Sequence, residues 1–142
     1  MLQHIHSYWA YLVVIALLVA TVNFSIAKLT NKEYQPKDFR IALITLIITH
    51  TQFLIGLILF FVSPMNHWLK DTPVKSIMKD PTLRLYNVEH PVTMILAVMC
   101  LTIGYSKHKK KHLSEQKLKS LMIGYTLAFI LVLSRIPWSN WL

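Results

Sequence analysis

The stretch "IALITLIITHTQFLIGLILFFV", residues 41–62, contains no Lys, Arg, Asp or Glu. It exceeds the roughly 20 residues that cross the hydrocarbon core of a bilayer. One ionisable residue interrupts it. His50 has nine residues of the block before it and twelve after, which places an imidazole near the middle of a membrane span. Such a group is costly in hydrocarbon and is a functional candidate by default.

Three further apolar blocks flank this one: "YWAYLVVIALLVATVNFSIA" (8–27), "VTMILAVMCLTIGY" (92–105) and "LMIGYTLAFILVLSRIPW" (121–138). The first is long enough to span. The other two reach that length when their polar flanks are helical and the charged ends snorkel to the interface, the third extending back through Leu83, Leu85 and Tyr86. The expected fold is all-α, an integral membrane four-helix antiparallel bundle in a single domain, 1–142, with spans about 6–27, 40–62, 84–106 and 119–137. Composition agrees: hydrophobic residues are 54% and charged residues 15%, against about 25% charged in soluble domains. The first block is longer than an ordinary signal-peptide core and has no Lys or Arg before it, so it reads as a retained first span. The single Cys100 excludes an internal disulfide.

The formal net charge of +9 lies between the apolar blocks, where it meets lipid headgroups. Residues 28–40 hold Lys28, Lys32, Lys37 and Arg40 against Glu33 and Asp38. Residues 106–119, "SKHKKKHLSEQKLK", hold six Lys and one Glu. In a four-span chain these two loops share a side, and the excess of Lys and Arg makes that side cytoplasmic. Both termini and the 63–87 connection then face outward from a bacterial cytoplasmic (inner) membrane, with His4, His6, His67, Glu89, His90 and Arg135 on that outer side. The basic run 107–111 is read as a headgroup contact rather than a nucleic-acid site.

Candidate site residues come from three spans: His6, His50 and His90. Around His50, Thr45, Thr49, Gln52 and Gly56 form a polar and small strip of the kind that meets a neighbouring helix. Glu89, Thr93, Cys100 and Gly104 make a similar strip in the third span, and Gly124, Ala128, Leu131 and Arg135 share a face of the fourth. The depth of His90 depends on Pro91. A helix that begins near Thr82 carries His90 inside the bundle, whereas one that begins at Pro91 leaves it among the headgroups. Arg135 either pairs with Glu89 or snorkels. His6 either faces the bundle or belongs to an interfacial belt with Tyr8, Trp9 and Tyr11. His67, His108 and His112 are expected to be solvated.

Imidazoles from separate spans suit haem iron, for which histidine is a common axial ligand. Apolar walls would come from Phe53, Met94 and Ala97, with close approach at Gly56. Arg135 or Arg84 would meet the propionates, Gln52 would hydrogen-bond a nearby group, and Glu89 would orient an imidazole. The same three histidines, with Glu89, would also serve zinc or a redox metal. A midspan His50 can instead bond Thr or Gln across helices and fix register.

"HIHSYWAYLVV" (4–14), "HTQFLIGLILFFVSP" (50–64), "LRLYNVEHPVTMILAVMCLTIGYSK" (83–107) and "RIPW" (135–138) together resemble a small four-span family of Bacteroidota whose members are loosely termed cytochrome b-like. The His-x-Gln…Gly and Glu-His-Pro elements are also similar to those of one four-helix half of haem A synthase. That likeness implies haem b held between paired histidines, His50 and His90 being the matching positions, with an acid near the outer side. The chain corresponds to one half only, so a homodimer would be needed to rebuild two sites. Its Glu and His are adjacent, whereas the enzyme's lie about one turn apart.

The leading expectation is thus a b-type haem protein working in electron transfer or haem handling with a membrane redox or assembly partner. The alternatives are a metal-binding membrane protein and a cofactor-free structural or assembly subunit. The last would offer a partner a small-residue face of Ala16, Ala20, Asn23 and Ala27. No motif specifies a reaction, and whether the chain is an enzyme stays open.

Overall fold

The computed structural model describes residues 1–141. Their regular secondary structure is all helix, with no strand among the described residues. Helix α1 runs Leu2–Leu29 and α2 Pro36–Val62. A short α3, Val74–Lys79, precedes the long α4, Pro81–Lys110. Helix α5 is Ser114–Ser134, and a single turn, α6, Trp138–Trp141, ends the chain. Helices α1, α2, α4 and α5 are each long and apolar enough to cross a membrane. They pack in a ring: α1 against α2 and α5, α5 most closely against α4, and α4 more loosely against α2. The result is the expected antiparallel four-helix bundle. The connections 30–35 and 111–113 lie at one end, called here the basic end. Both termini lie at the other, where Tyr11 stacks on Trp141 at 4.4 Å and the Trp141 indole donates to the Ser7 carbonyl at 3.1 Å.

Local chemistry sets the ends of the helices. Asn31 takes a left-handed φ of 56° just past α1, a conformation Asn tolerates better than most residues. Pro36 opens α2 at a position where its missing N–H costs nothing. The Asp38 carboxylate accepts the Gln35 N–H at 2.8 Å in a reciprocal cap. The Asp80 side chain accepts the N–H groups of Thr82 and Leu83 and starts α4.

The tightest packing is backbone on backbone. A Cβ placed on Gly124 would stand 2.7 Å from the Gly104 Cα, and one on Gly104 2.9 Å from the Gly124 Cα. Only glycine permits this approach, and it accounts for the close fit of α4 on α5. The core continues through Leu17, Phe24, Leu101, Leu121 and Tyr125, none of them exposed. The Tyr125 hydroxyl crosses the bundle to donate to the Ala42 carbonyl of α2 at 2.7 Å. Its ring meets Phe24 edge-on at 5.2 Å.

Three expectations change. Most of 106–119 is helix, because α4 continues to Lys110 and α5 resumes at Ser114. His108 is therefore buried in the bundle rather than solvated. The small face of α1 does not await a partner, since Ala20 and Ala27 are buried in the core and the Asn23 amide donates to Asp38 at 2.7 Å.

Candidate functional site

Pro91 lies well inside α4. The helix begins ten residues earlier and widens at Leu85–Glu89 into a π-turn, in which the His90 N–H reaches back to the Leu85 carbonyl. Pro91 cannot donate to the carbonyl four residues before it, that of Asn87. The Trp68 indole takes that acceptor at 2.8 Å. The Asn87 side chain is buried and also accepts the His67 N–H at 2.8 Å. Proline inside a membrane helix is tolerated when a neighbour re-satisfies the freed group, and the 63–73 segment does so here. His90 is consequently carried into the bundle as a half-buried side chain.

Four helices meet around it. The His90 ring lies 6.3 Å from that of His6 on α1, centre to centre, with the planes at 88°. His90 Nδ1 is 2.8 Å from the Arg135 carbonyl at the end of α5. A carbonyl only accepts, so Nδ1 carries the proton, and Nε2 has no hydrogen-bond partner among the described residues. On α2, the Gln52 amide donates to the His6 carbonyl at 2.8 Å. Gly56 makes room for the His6 imidazole, since a Cβ there would lie 2.9 Å from its Cε1. Two buried polar atoms face this region without partners, His6 Nδ1 and Gln52 Oε1. Buried polar atoms are nearly always satisfied, so an orphaned pair beside two imidazoles marks a place for a ligand or ordered water.

The charged residues nearby are arranged otherwise than expected. Glu89 pairs with Arg84, one turn back on its own helix, at 3.4 Å. Arg135 turns its guanidinium to the Ser134 carbonyl. The Glu89–Arg135 pair therefore does not form. The fourth helix contributes the Arg135 backbone carbonyl instead of its charge, a role no side-chain pattern announces.

His50 stands apart. Its Nδ1 donates to the Leu46 carbonyl at 2.8 Å, and its Nε2 lies 3.2 Å from the Thr102 hydroxyl on α4. Twelve helical residues separate Thr102 from His90, about 18 Å along the axis, so His50 and His90 do not share one ion. Thr102 was not singled out in the sequence, where only a Thr or Gln of unspecified position stood as a partner for the midspan imidazole. His4 is exposed, and His67 bonds Thr72 at 3.2 Å.

Two imidazoles bonded to opposite sides of one ion, each through a nitrogen about 2 Å away, have ring centres about 6.4 Å apart. The His6–His90 centre spacing is close to that value and also lies within the range of an ordinary edge-on ring contact. Structural or catalytic zinc takes three or four protein donors, and no group of three His, Cys, Asp or Glu stands together among the described residues. Haem iron needs only one or two protein ligands, because the porphyrin fills the equatorial positions. Two imidazoles fall short of the donors zinc takes and equal in number the protein ligands haem iron can use. Of the residues expected to hold a cofactor, His6, His90 and Gln52 come together at the terminal end, whereas His50 lies deeper.

The chain matches no protein-family model, no curated protein and no solved structure.

Proposed function

We propose that this bundle is a b-type haem protein of the bacterial cytoplasmic membrane, working in electron transfer or haem handling, in which His6 and His90 would hold the haem. The observation that carries the reading is the approach of these two imidazoles from α1 and α4, 6.3 Å apart with perpendicular planes. Haem held by two histidines supplies one-electron redox chemistry. The chain's own part is positional. The Arg135 carbonyl fixes the His90 tautomer and leaves Nε2 as the free donor. Gln52 ties the backbone of His6 to α2, and Gly56 leaves space for its ring. The basic end, with Lys107, Lys109 and Lys110 on α4 and Lys117 on α5, faces the cytoplasm by the excess of positive charge, which puts the histidine pair on the outer side. A homodimer would bring two such sites together.

A cofactor-free assembly subunit is the second reading. His50 favours it, because both of its ring nitrogens already have protein partners. The absorption spectrum of protein purified from haem-replete cells separates the two. A Soret band near one haem per chain is expected, and colourless, well-folded protein overturns the haem reading.

A further inference from the structure

At the basic end, about 25 Å along α1 from His6, a cleft of about 800 Å³ opens beside the 30–35 connection. It lies outside the histidine site and has its own logic. One wall is the lipid-facing flank of α1, where Leu18, Val22 and Ile26 succeed one another at one-turn intervals and are each nearly half exposed. These three residues make an apolar strip about 12 Å long, running from the hydrocarbon toward the interface. At the interface end the lining changes to Lys32, Glu33 and Lys37. The floor is Asn23 and Asp38, and that carboxylate is already engaged by the Asn23 amide and the Gln35 N–H.

The three rim charges differ from their neighbours. Lys28, one turn before Lys32, pairs with Glu115 at 3.4 Å. Lys32, Glu33 and Lys37 have no ion-pair partner among the described residues, and all three are exposed. Two free cations and one free carboxylate at the head of an apolar strip complement a molecule with an acyl tail, a phosphate and an ammonium. We infer that the cleft is a binding site for a phospholipid with a primary-amine headgroup, its acyl chain along Leu18, Val22 and Ile26. The phosphate lies between Lys32 and Lys37, and the ammonium on Glu33. The site would lock the α1–α2 hairpin at the membrane surface on which these lysines lie. It stands independently of any haem at the other end.

The test uses full-length protein, stripped of lipid in a neutral detergent, with unfolding followed by heat. Phosphatidylethanolamine, phosphatidylglycerol, phosphatidylcholine and inorganic phosphate are added separately. Phosphatidylethanolamine is expected to raise the midpoint by about 5 °C or more, with a smaller rise for phosphatidylglycerol and none for inorganic phosphate. Glu33→Gln should erase the preference for the amine lipid and keep the phosphatidylglycerol effect. Lys32→Gln with Lys37→Gln should remove both. Val22→Trp, which fills an exposed position and needs no repacking of the core, should abolish the rise while leaving the lipid-free midpoint unchanged. Equal rises with all three lipids, a larger rise with phosphatidylglycerol, or a rise that survives Val22→Trp would each overturn the assignment.

Discussion

The two ends of the bundle handle buried polarity in opposite ways. At the basic end Asp38 has two donors, and the His108 ring is held on both sides. Its Nδ1 meets the Tyr105 carbonyl at 2.5 Å and its Nε2 the Tyr34 hydroxyl at 3.0 Å. At the terminal end His90 is held by one nitrogen only, and His6 Nδ1 and Gln52 Oε1 are buried with nothing opposite. A closed polar network stabilises and specifies a bundle, whereas an open one among imidazoles is costly unless something else completes it. The same residue type, histidine, is thus bonded through both ring nitrogens at one end and left with open nitrogens at the other. The difference lies in its partners rather than in its depth.

That contrast can be broken most directly at the terminal end. His90→Ala and His6→Ala should each eliminate haem per chain, measured as the pyridine haemochrome, with a loss of stability under about 1 kcal/mol. His50→Ala should retain the chromophore. The reverse pattern would move the site to midspan. At the basic end the effect should fall on stability alone. Asp38→Ala strands the Asn23 amide and removes the α2 cap, and should cost about 3 kcal/mol in SDS unfolding from mixed micelles without altering any spectrum. Between the ends, Thr102→Val removes the partner of His50 and should cost about 1 kcal/mol, the usual scale for interhelical polar pairs in membranes.

The smallest effect concerns pH. Tyr34 lies in the 30–35 connection. Burial, then the charges of Asp38 and Tyr105, hold its hydroxyl above its ordinary value of 10.0. The unfolded chain therefore loses this proton first as pH rises, so it binds fewer protons than the folded state. Stability falls from about pH 10 upward and is unaffected below. Tyr34→Phe should flatten that part of the alkaline limb in a pH series of SDS unfolding, and an unchanged slope would show that Tyr34 is not its source.

Much of the fold was readable from the chain. Four apolar blocks identified α1, α2, α4 and α5, because the bilayer imposes a length and an apolar character that survive without any tertiary information. Gly104 and Gly124 each stood on a strip read from the sequence, but that the two strips meet is seen only in the structure. The site was readable only in part. Gln52 stood out inside an apolar block and His6 and His90 just before two others, but which histidines meet depends on relative heights and rotations of helices that no local pattern encodes. The Arg135 contribution is a backbone carbonyl, invisible to any residue-type argument. His108 was misplaced because a run of lysines resembles a solvated loop, although one side of that run is helix packed against Tyr34 and Phe39.

The wide turn at Leu85–Glu89 has a further consequence. One extra residue in an α-helix shifts the angular phase of everything beyond it by about 100°. Within the turn, Asn87 meets the 63–73 segment; beyond it, His90 meets His6. The turn works as a phase adjuster that lets a single helix serve two partners lying in different directions. The bearing of His90 is thus written in chain length. Shortening 85–89 by one residue, with every side chain of the site retained, would swing the imidazole away from its counterpart.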